Sequence, residues 1–267
     1  MKKIVTAFAL LATLFSFTGC EKYLDVNKNV DAPDYVDAGL YLPGILSAYQ
    51  GFYWDIRALG PLTQMMGGSY NNFYMHYYAK SSDAGGEMWR MTYWLQGMNL
   101  ENMINQSIEE EQWTLAGIGY AIKAFSWDCI TKYHADLPLK QTFEPGRLSH
   151  DYDYQPEIMA QVREWAKTAI EYLEKEDNSN YGTYLTQGDL VYHGDKSKWI
   201  KFAHSVIVND LAALTNKSDF ESKYAAELLE HAALALDSND DTFAVERMTA
   251  SSTDPQFGAY YNFWGTY

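Results

Sequence analysis

Cysteine is scarce in this chain: its 267 residues hold two, Cys20 and Cys129. If the first is chemically modified, one thiol remains and no internal disulfide can form. Cys129 falls in a helical apolar pattern with Phe125, Trp127 and Ile130, the setting of a small buried hydrophobe rather than a nucleophile. Cationic residues are also few, 20 Lys and Arg against 35 Asp and Glu, for a formal charge of −15. A surface this acidic excludes nucleic acid as a partner, because phosphate backbones are held by clustered Lys and Arg. It also repels anionic lipid headgroups. No run beyond residue 17 approaches the ~18 uninterrupted apolar residues of a membrane-spanning helix. His-Glu-x-x-His, Gly-x-Ser-x-Gly and the Gly-x-x-x-x-Gly-Lys-Ser/Thr phosphate loop are all missing. The six histidines (His76, His134, His150, His193, His204, His231) include no pair at i, i+3 or i, i+4. No helical metal site and no cofactor are therefore expected. Asp151 with Asp153, and Asp189 with Asp195, are acids near turns, with nothing to mark them as the facing carboxyls of a glycosidase, ~5–9 Å apart. The chain is not expected to be an enzyme.

What is present at the start is Lys2-Lys3, an uncharged run from Ile4 to Phe17, and then Thr18-Gly19-Cys20. A positive n-region, an apolar h-region and small residues before a cysteine mark a bacterial secretory signal. Fourteen residues, at about 1.5 Å each, fall short of a ~30 Å hydrocarbon core, so cleavage is expected rather than retention as an anchor. The segment Phe17-Thr18-Gly19-Cys20 resembles the lipobox of bacterial lipoproteins, with Phe17 where Leu is commoner. That resemblance implies removal of residues 1–19 and a diacylglyceryl group on the sulfur of Cys20. An ordinary signal peptide that happens to contain cysteine is the alternative. Each buried acyl methylene contributes about 0.8 kcal/mol, so two or three chains hold a soluble domain at a membrane. Loss of Lys2 and Lys3 takes the charge from −15 to −17.

Helical periodicity dominates the remainder. Pro33 opens a pattern through Leu42, Ile45, Leu46 and Tyr49, and a short helix is expected over 55–66. Residues 67–78, rich in Gly, Asn and aromatics, read as a long, partly ordered loop. Longer helices are expected over Glu87–Ile108, Leu115–Tyr133, from Pro156 to Leu173, Lys198–Leu214 and Tyr224–Leu236. Small residues at helical spacing (Ala116, Ala121, Ala124, Ala203) let neighbouring backbones approach closely, as in stacked tetratricopeptide-type helix pairs. The fold class is all-α. Asp25-Val26-Asn27-Lys28-Asn29 mimics the start of a calcium loop but lacks its Gly and its final Glu, so Asx turns are expected there.

Three segments resemble one family. Tyr23-Leu24-Asp25-Val26-Asn27-Lys28-Asn29 is similar to the Leu-Asp-x-Asn-x-Asn opening of SusD/RagB-like outer-membrane lipoproteins. Asp136-Leu137-Pro138-Leu139 with Tyr152-Asp153-Tyr154-Gln155-Pro156-Glu157-Ile158 is similar to a second passage of that family, His134-Ala135 standing where Phe-Gly is frequent. Asp189 to Ser205, including Gly194-Asp195 and Lys198-Trp199-Ile200-Lys201-Phe202-Ala203, resembles a third, with His204 in place of Asn. The resemblance covers nearly the whole of this chain and implies the N-terminal half of a longer protein: a signal peptide over 1–19 and a SusD-like helical domain over 20–267. It further implies a non-catalytic lipoprotein on the cell surface. That lipoprotein would capture oligosaccharide or another nutrient and deliver it to a TonB-dependent outer-membrane transporter. A tetratricopeptide-type scaffold without a transport role is the alternative reading, and a surface glycoside hydrolase a more distant one. The matched residues themselves read as fold-specifying: Asp195 as a helix cap, Pro138 as a helix stop.

The unusual component is aromatic: 22 Tyr, 8 Trp and 12 Phe, 16% of the chain. An excess of amphipathic rings suggests faces that meet a polar ring-shaped ligand. Sugar binding needs flat rings for the C–H face of a pyranose and amide, carboxylate or guanidinium groups for its hydroxyls. Tyr70, Tyr74 and Tyr78, with Asn71, Asn72 and His76, offer both in one loop. Trp54, Arg57 and Trp89 lie close to it in sequence. In the resembled family the ligand face generally lies on insertions outside the helical repeats, where this loop falls.

Overall fold

A computed structural model of the chain describes residues 36–49, 51, 52, 55, 59, 60, 63–65, 86–177 and 182–245. All of these except Val36 belong to one compact unit, Asp37–Tyr267. A 3₁₀ turn (Ala38–Leu40), capped by the Asp37 carboxylate, enters α1 (Tyr41–Ser47). Next, α2 (Glu87–Arg90) passes through a π-helical stretch, Met91–Gly97, into α3 (Met98–Glu109). Then come α4 (Trp113–His134), α5 (Gln155–Leu173), α6 (Gly182–Gly188) and α7 (Lys196–Ala212). Two short helices, α8 (Phe220–Lys223) and α9 (Ala225–Ala232), and a 3₁₀ turn (Asn239–Asp241) follow. Among the described residues the only β pairing is an isolated antiparallel bridge between Leu137 and Asp153. The all-α expectation holds. The long helices fall where the periodicity puts them, with ends displaced by about a turn or less; α6 and α8 carry no periodic signal in the sequence. No described helix is long and apolar enough to cross a membrane.

The centre of the packing is α4, which is apolar on nearly every face and therefore buried. On one side α5 lies against it, and on the other α3; α7 packs on α4 and α5, and α9 on α7. Glycine permits both close approaches. A Cβ at Gly117 would lie 2.6 Å from Leu173 Cγ, and one at Gly119 2.6 Å from Ile104 Cγ1. The space between helices is filled by rings. Phe202 stacks on Phe243 (4.5 Å), Phe125 meets Phe202 edge-on (5.3 Å), and Tyr49 donates to Ser126 or accepts from it at 2.9 Å. Much of the aromatic excess among the described residues is thus core rather than ligand surface. Backbones spaced by Ala and Gly leave volume that only large side chains fill. Cys129 packs partly buried against this core, and burial pushes its thiol up, out of the reactive range.

The resembled motifs organise connections. Asp189 is fully buried: Oδ1 accepts the N–H groups of Val191 (3.0 Å) and Tyr192 (3.2 Å), while Oδ2 accepts those of Gly194 (2.8 Å) and the Trp199 indole (2.7 Å). Gly194 adopts φ +84°, which L side chains rarely tolerate. Asp195 then caps α7, accepting from Ser197 N (2.9 Å) and Lys198 N (3.3 Å). In the second motif Leu137 and Asp153 exchange backbone bonds of 3.1 and 2.8 Å, and the Asp153 carboxylate accepts from Leu139 N and Lys140 N (both 2.8 Å). Helix α4 stops at His134, where Ala135 takes φ +64°, before Pro138 is reached.

Two further carboxyls lie inside the array. Asp128 on α4 accepts from Lys132 Nζ and Asn209 Nδ2 (2.7 Å each), and Asp210 on α7 pairs with Arg163 of α5. The Oδ1 atoms of both acids are buried without a hydrogen-bond partner among the described residues. Burial first, and the neighbouring Asp128 next among the causes that raise it, push Asp210 up to about 7 against the pull of Arg163; burial raises Asp128 as well. On the other side of α7, His204 Nδ1 and His231 Nδ1 are 2.7 Å apart, and burial lowers both imidazoles.

Asp189→Asn, which turns an amide N–H₂ toward donors, is expected to destabilise the protein by about 2–4 kcal/mol. A lowered urea midpoint with an altered Trp fluorescence would register it, and an unchanged midpoint would contradict it. The raised Asp210 means that the folded state binds more protons than the unfolded chain between the ordinary carboxylate range and about pH 7. This contribution is therefore greatest at low pH and fades as pH rises through about 7. The lowered histidines act in the opposite sense, adding stability that is lost as pH falls below about 6.5. Asp210→Asn removes the first of these contributions and leaves the histidines. Relative to this variant, the unchanged protein should lose more than about 1 kcal/mol of unfolding free energy between pH 5 and pH 8.

Candidate functional site

Of the residues expected to meet a ligand, Trp54, Arg57, Tyr70, Asn71, Asn72, Tyr74, His76 and Tyr78 lie outside the described residues, as does Cys20. Trp89 is described. Its ring lies 4.6 Å from that of Tyr93 and meets His134 edge-on at 5.5 Å. It is partly buried against the core, so it serves as a wall rather than a free platform. The segment that carries Trp89 is anchored from a distance: the Asp55 carboxylate accepts from Glu87 N (3.3 Å) and Met88 N (2.7 Å). Arg90 pairs with Glu87 at 2.5 Å.

Immediately beyond, the helix widens into the π-helical stretch Met91–Gly97. Such bulges shift the helical register by one residue and recur at functional sites. Here the bulge turns Tyr93 inward and leaves Trp94 76% exposed, beside Leu95 and Met98. Tyr93 Oη donates to the Pro138 carbonyl (2.8 Å), and its ring meets Trp127 edge-on at 5.3 Å. Burial pushes the Tyr93 phenol up, with Tyr152 and Asp153 adding to it, so it holds its proton as a hydrogen-bond donor. At the other end of the stretch, Gly97 accepts the ring of Phe143, whose Cε1 and Cζ would lie 2.6 Å from a Cβ at that position. Phe143 itself has φ +67°, a strained conformation for an aromatic residue.

Phe143 forms part of the wall of a cleft of about 320 Å³ between α3, α4, α5 and the connection at 139–143. Trp127 and Trp165 supply its aromatic surface, their rings 6.1 Å apart. Its polar groups are Gln161, Thr142 and two ion pairs, Lys123–Glu101 and Lys140–Glu157, each at 2.5 Å. Lys123 Nζ also lies 4.5 Å over the Trp165 ring. Each carboxylate is held by a lysine, an arrangement that offers fixed donors and acceptors to a ligand. Flat apolar rings beside converging polar groups suit a polyol with one C–H face. Tyr152 and Tyr154, 64% and 68% exposed, stand on the connection between α4 and α5. Among the described residues no group of three or more His, Cys, Asp or Glu could hold a metal ion.

Trp127 and Trp165 fall in the apolar helical patterns of their segments, which do not by themselves join the two into a site. A signal was available. Glu157, Gln161 and Trp165 recur at intervals of four on α5, and Lys123 and Trp127 do the same on α4, so each set shares one face that is both polar and aromatic.

The family model described as "Starch-binding associating with outer membrane", SusD-like, matches residues 57–262. Among solved structures, a SusD/RagB family protein from Bacteroides thetaiotaomicron superposes with a TM-score of 0.69 at 21% identity, over 86% of this chain and 49% of that one. A Bacteroidetes SusD-like protein gives 0.66 at 18% identity, over 84% and 42%. A chitin-binding SusD homologue from Flavobacterium johnsoniae gives 0.58 at 16%, over 77% and 46%. At these identities the likeness is one of fold. The chain spans about half the length of the solved relatives it matches. A search of curated proteins finds no match.

Proposed function

We propose a function from one premise, that this chain belongs to the SusD-like family of proteins associated with the outer membrane. Its role is then to bind an oligosaccharide or a related nutrient at the cell surface and deliver it to a TonB-dependent outer-membrane transporter, without catalysing a reaction. The match over 57–262 carries this reading. Residues 1–19 act as the signal, and acylated Cys20 ties the helical domain, 20–267, to the outer membrane. Two structural relatives are described as chitin-binding, and a β-linked aminosugar chain is accordingly a first ligand to try.

The ligand face in this reading combines Trp54, Arg57, Tyr70, Asn71, Asn72, Tyr74, His76 and Tyr78 with the surface that Trp89 begins. The cleft of Trp127 and Trp165 is the observation that supports a glycan-sized ligand. Hydroxyls would meet Gln161, Thr142 and the paired lysines, and the sugar face would lie along a ring.

A glycan array probed with the full chain should return binding to a defined oligosaccharide class. Replacing Tyr70, Tyr74 and Tyr78 together by Ala is expected to weaken that binding about tenfold or more, with an unchanged helical circular-dichroism signal. Trp165→Ala separates the cleft from the loop: a comparable loss assigns the ligand to the cleft, and no loss leaves it to the loop. Retention of full affinity in both variants would refute the site. In cells, Cys20→Ala should move the protein from the membrane fraction to the aqueous one. Affinity capture from solubilised outer membranes should recover a large β-barrel, and its absence would count against delivery to a transporter.

A further inference from the structure

A second cavity, of about 280 Å³, opens where the first turn of α5 meets the end of α7. Lys132, Arg163 and Lys217 all reach its wall, and no carboxylate does. That is unusual for a chain with a formal charge of −15. Two of the cations have partners behind the wall: Lys132 holds Asp128 at 2.7 Å, and Arg163 gives Nη1 to Asp210. Those two acids offset at most two of the three positive charges, and no carboxylate faces Lys217 from the wall itself. Lys217 makes no ion pair among the described residues; the nearby Asp219 is engaged by Lys223 at 2.7 Å. Arg163 commits one nitrogen to Asp210, and its remaining N–H groups have no hydrogen-bond partner among the described residues. The guanidinium lies 5.9 Å from the centre of the Tyr224 ring, which shares the wall.

Helix ends act in both directions here. The amino end of the 19-residue α5, at Gln155 and Pro156, contributes partial positive charge, part of which Asp136 takes up by accepting from Gln155 N (2.8 Å). The carboxyl end of α7 contributes the reverse, and Lys132 Nζ answers it by donating to the Asn209 carbonyl at 2.9 Å. The rest of the wall is apolar, formed by Met159, Leu214 and Pro156. A concave, low-dielectric wall of one sign concentrates counter-ions, and a guanidinium with free N–H groups prefers a planar oxyanion.

We propose that this cavity binds a small organic acid of about monosaccharide size, a uronic acid or similar sugar acid, with its carboxylate between Arg163, Lys217 and Lys132. The apolar wall and the Tyr224 ring take the body of the ligand. This site is separate from the aromatic cleft and does not depend on the reading given above: an acid would be held here even if no neutral glycan binds elsewhere.

Calorimetric titration of the full chain with D-galacturonate, with D-galactose and with sodium sulfate tests it. Galacturonate should bind, and its affinity should fall severalfold as NaCl rises from about 20 to about 200 mM, as screening requires. Galactose, which has the same body without the charge, should give no binding. Lys217→Gln is expected to weaken galacturonate about tenfold while the urea midpoint and circular dichroism stay unchanged, and Lys217→Glu to abolish it. Competition by sulfate would identify the oxyanion as the recognised group, and binding without such competition would assign a larger share to the sugar body. Absence of galacturonate binding, equal affinity for galactose, or full affinity in Lys217→Glu would each overturn the proposal. Neutral-oligosaccharide binding on the array is read independently of all three.

Discussion

Close approach to α4 is the constraint from which the rest of this structure follows. A helix buried on nearly all sides can have neighbours on both flanks only if its backbone comes near theirs, and Gly117 and Gly119 permit that against Leu173 and Ile104. Adding a Cβ at either position places it 2.6 Å from a neighbour's side-chain carbon, well inside van der Waals contact. Helices drawn this close on one line leave wedges elsewhere, and Phe125, Phe202, Phe243 and Tyr49 fill them. The small-residue spacing and the aromatic excess are two sides of one packing solution.

Carboxylates hold the connections between these helices. Asp55 accepts from the first N–H groups of α2, and Asp177 from Thr114 N (2.8 Å) at the start of α4. Asp136 accepts from Gln155 N (2.8 Å) at the start of α5, Asp153 from the strand-like turn at 139–140, and Asp189 from a loop folded around it. The orphan N–H groups of a helix start need an acceptor, and a distant carboxylate supplies one while tying two parts of the chain together. Part of the acidic excess is therefore structural. Net charge alone suggested only what the surface would repel.

The two candidate surfaces arise where this regular scheme is broken. The π-helical stretch at 91–97 turns Tyr93 toward Trp127 and Trp94 toward solvent, and Phe143 closes on Gly97 from a strained backbone. The cleft beside it mixes rings with lysine-neutralised acids. The cavity at the other end of α5 reverses the protein's overall sign within a few residues. Both depend on α5, whose successive faces meet α4 and α7.

From the sequence alone came the all-α class, the approximate limits of the long helices and the three motifs that resemble the SusD/RagB-like family. These are local properties: periodicity, composition and short ordered patterns survive in one dimension. Asp195 as a cap and Gly194 in a turn were legible for the same reason. Tertiary structure alone decided that Trp127, Trp165 and Phe143 share a cleft, that Asp128 lies against Asp210, and that three cations from α4, α5 and the segment after α7 line one cavity. Those groups are separated by tens of residues. What joins them is the distance between packed helices, which the helical period does not encode and which the side chains at the contact set.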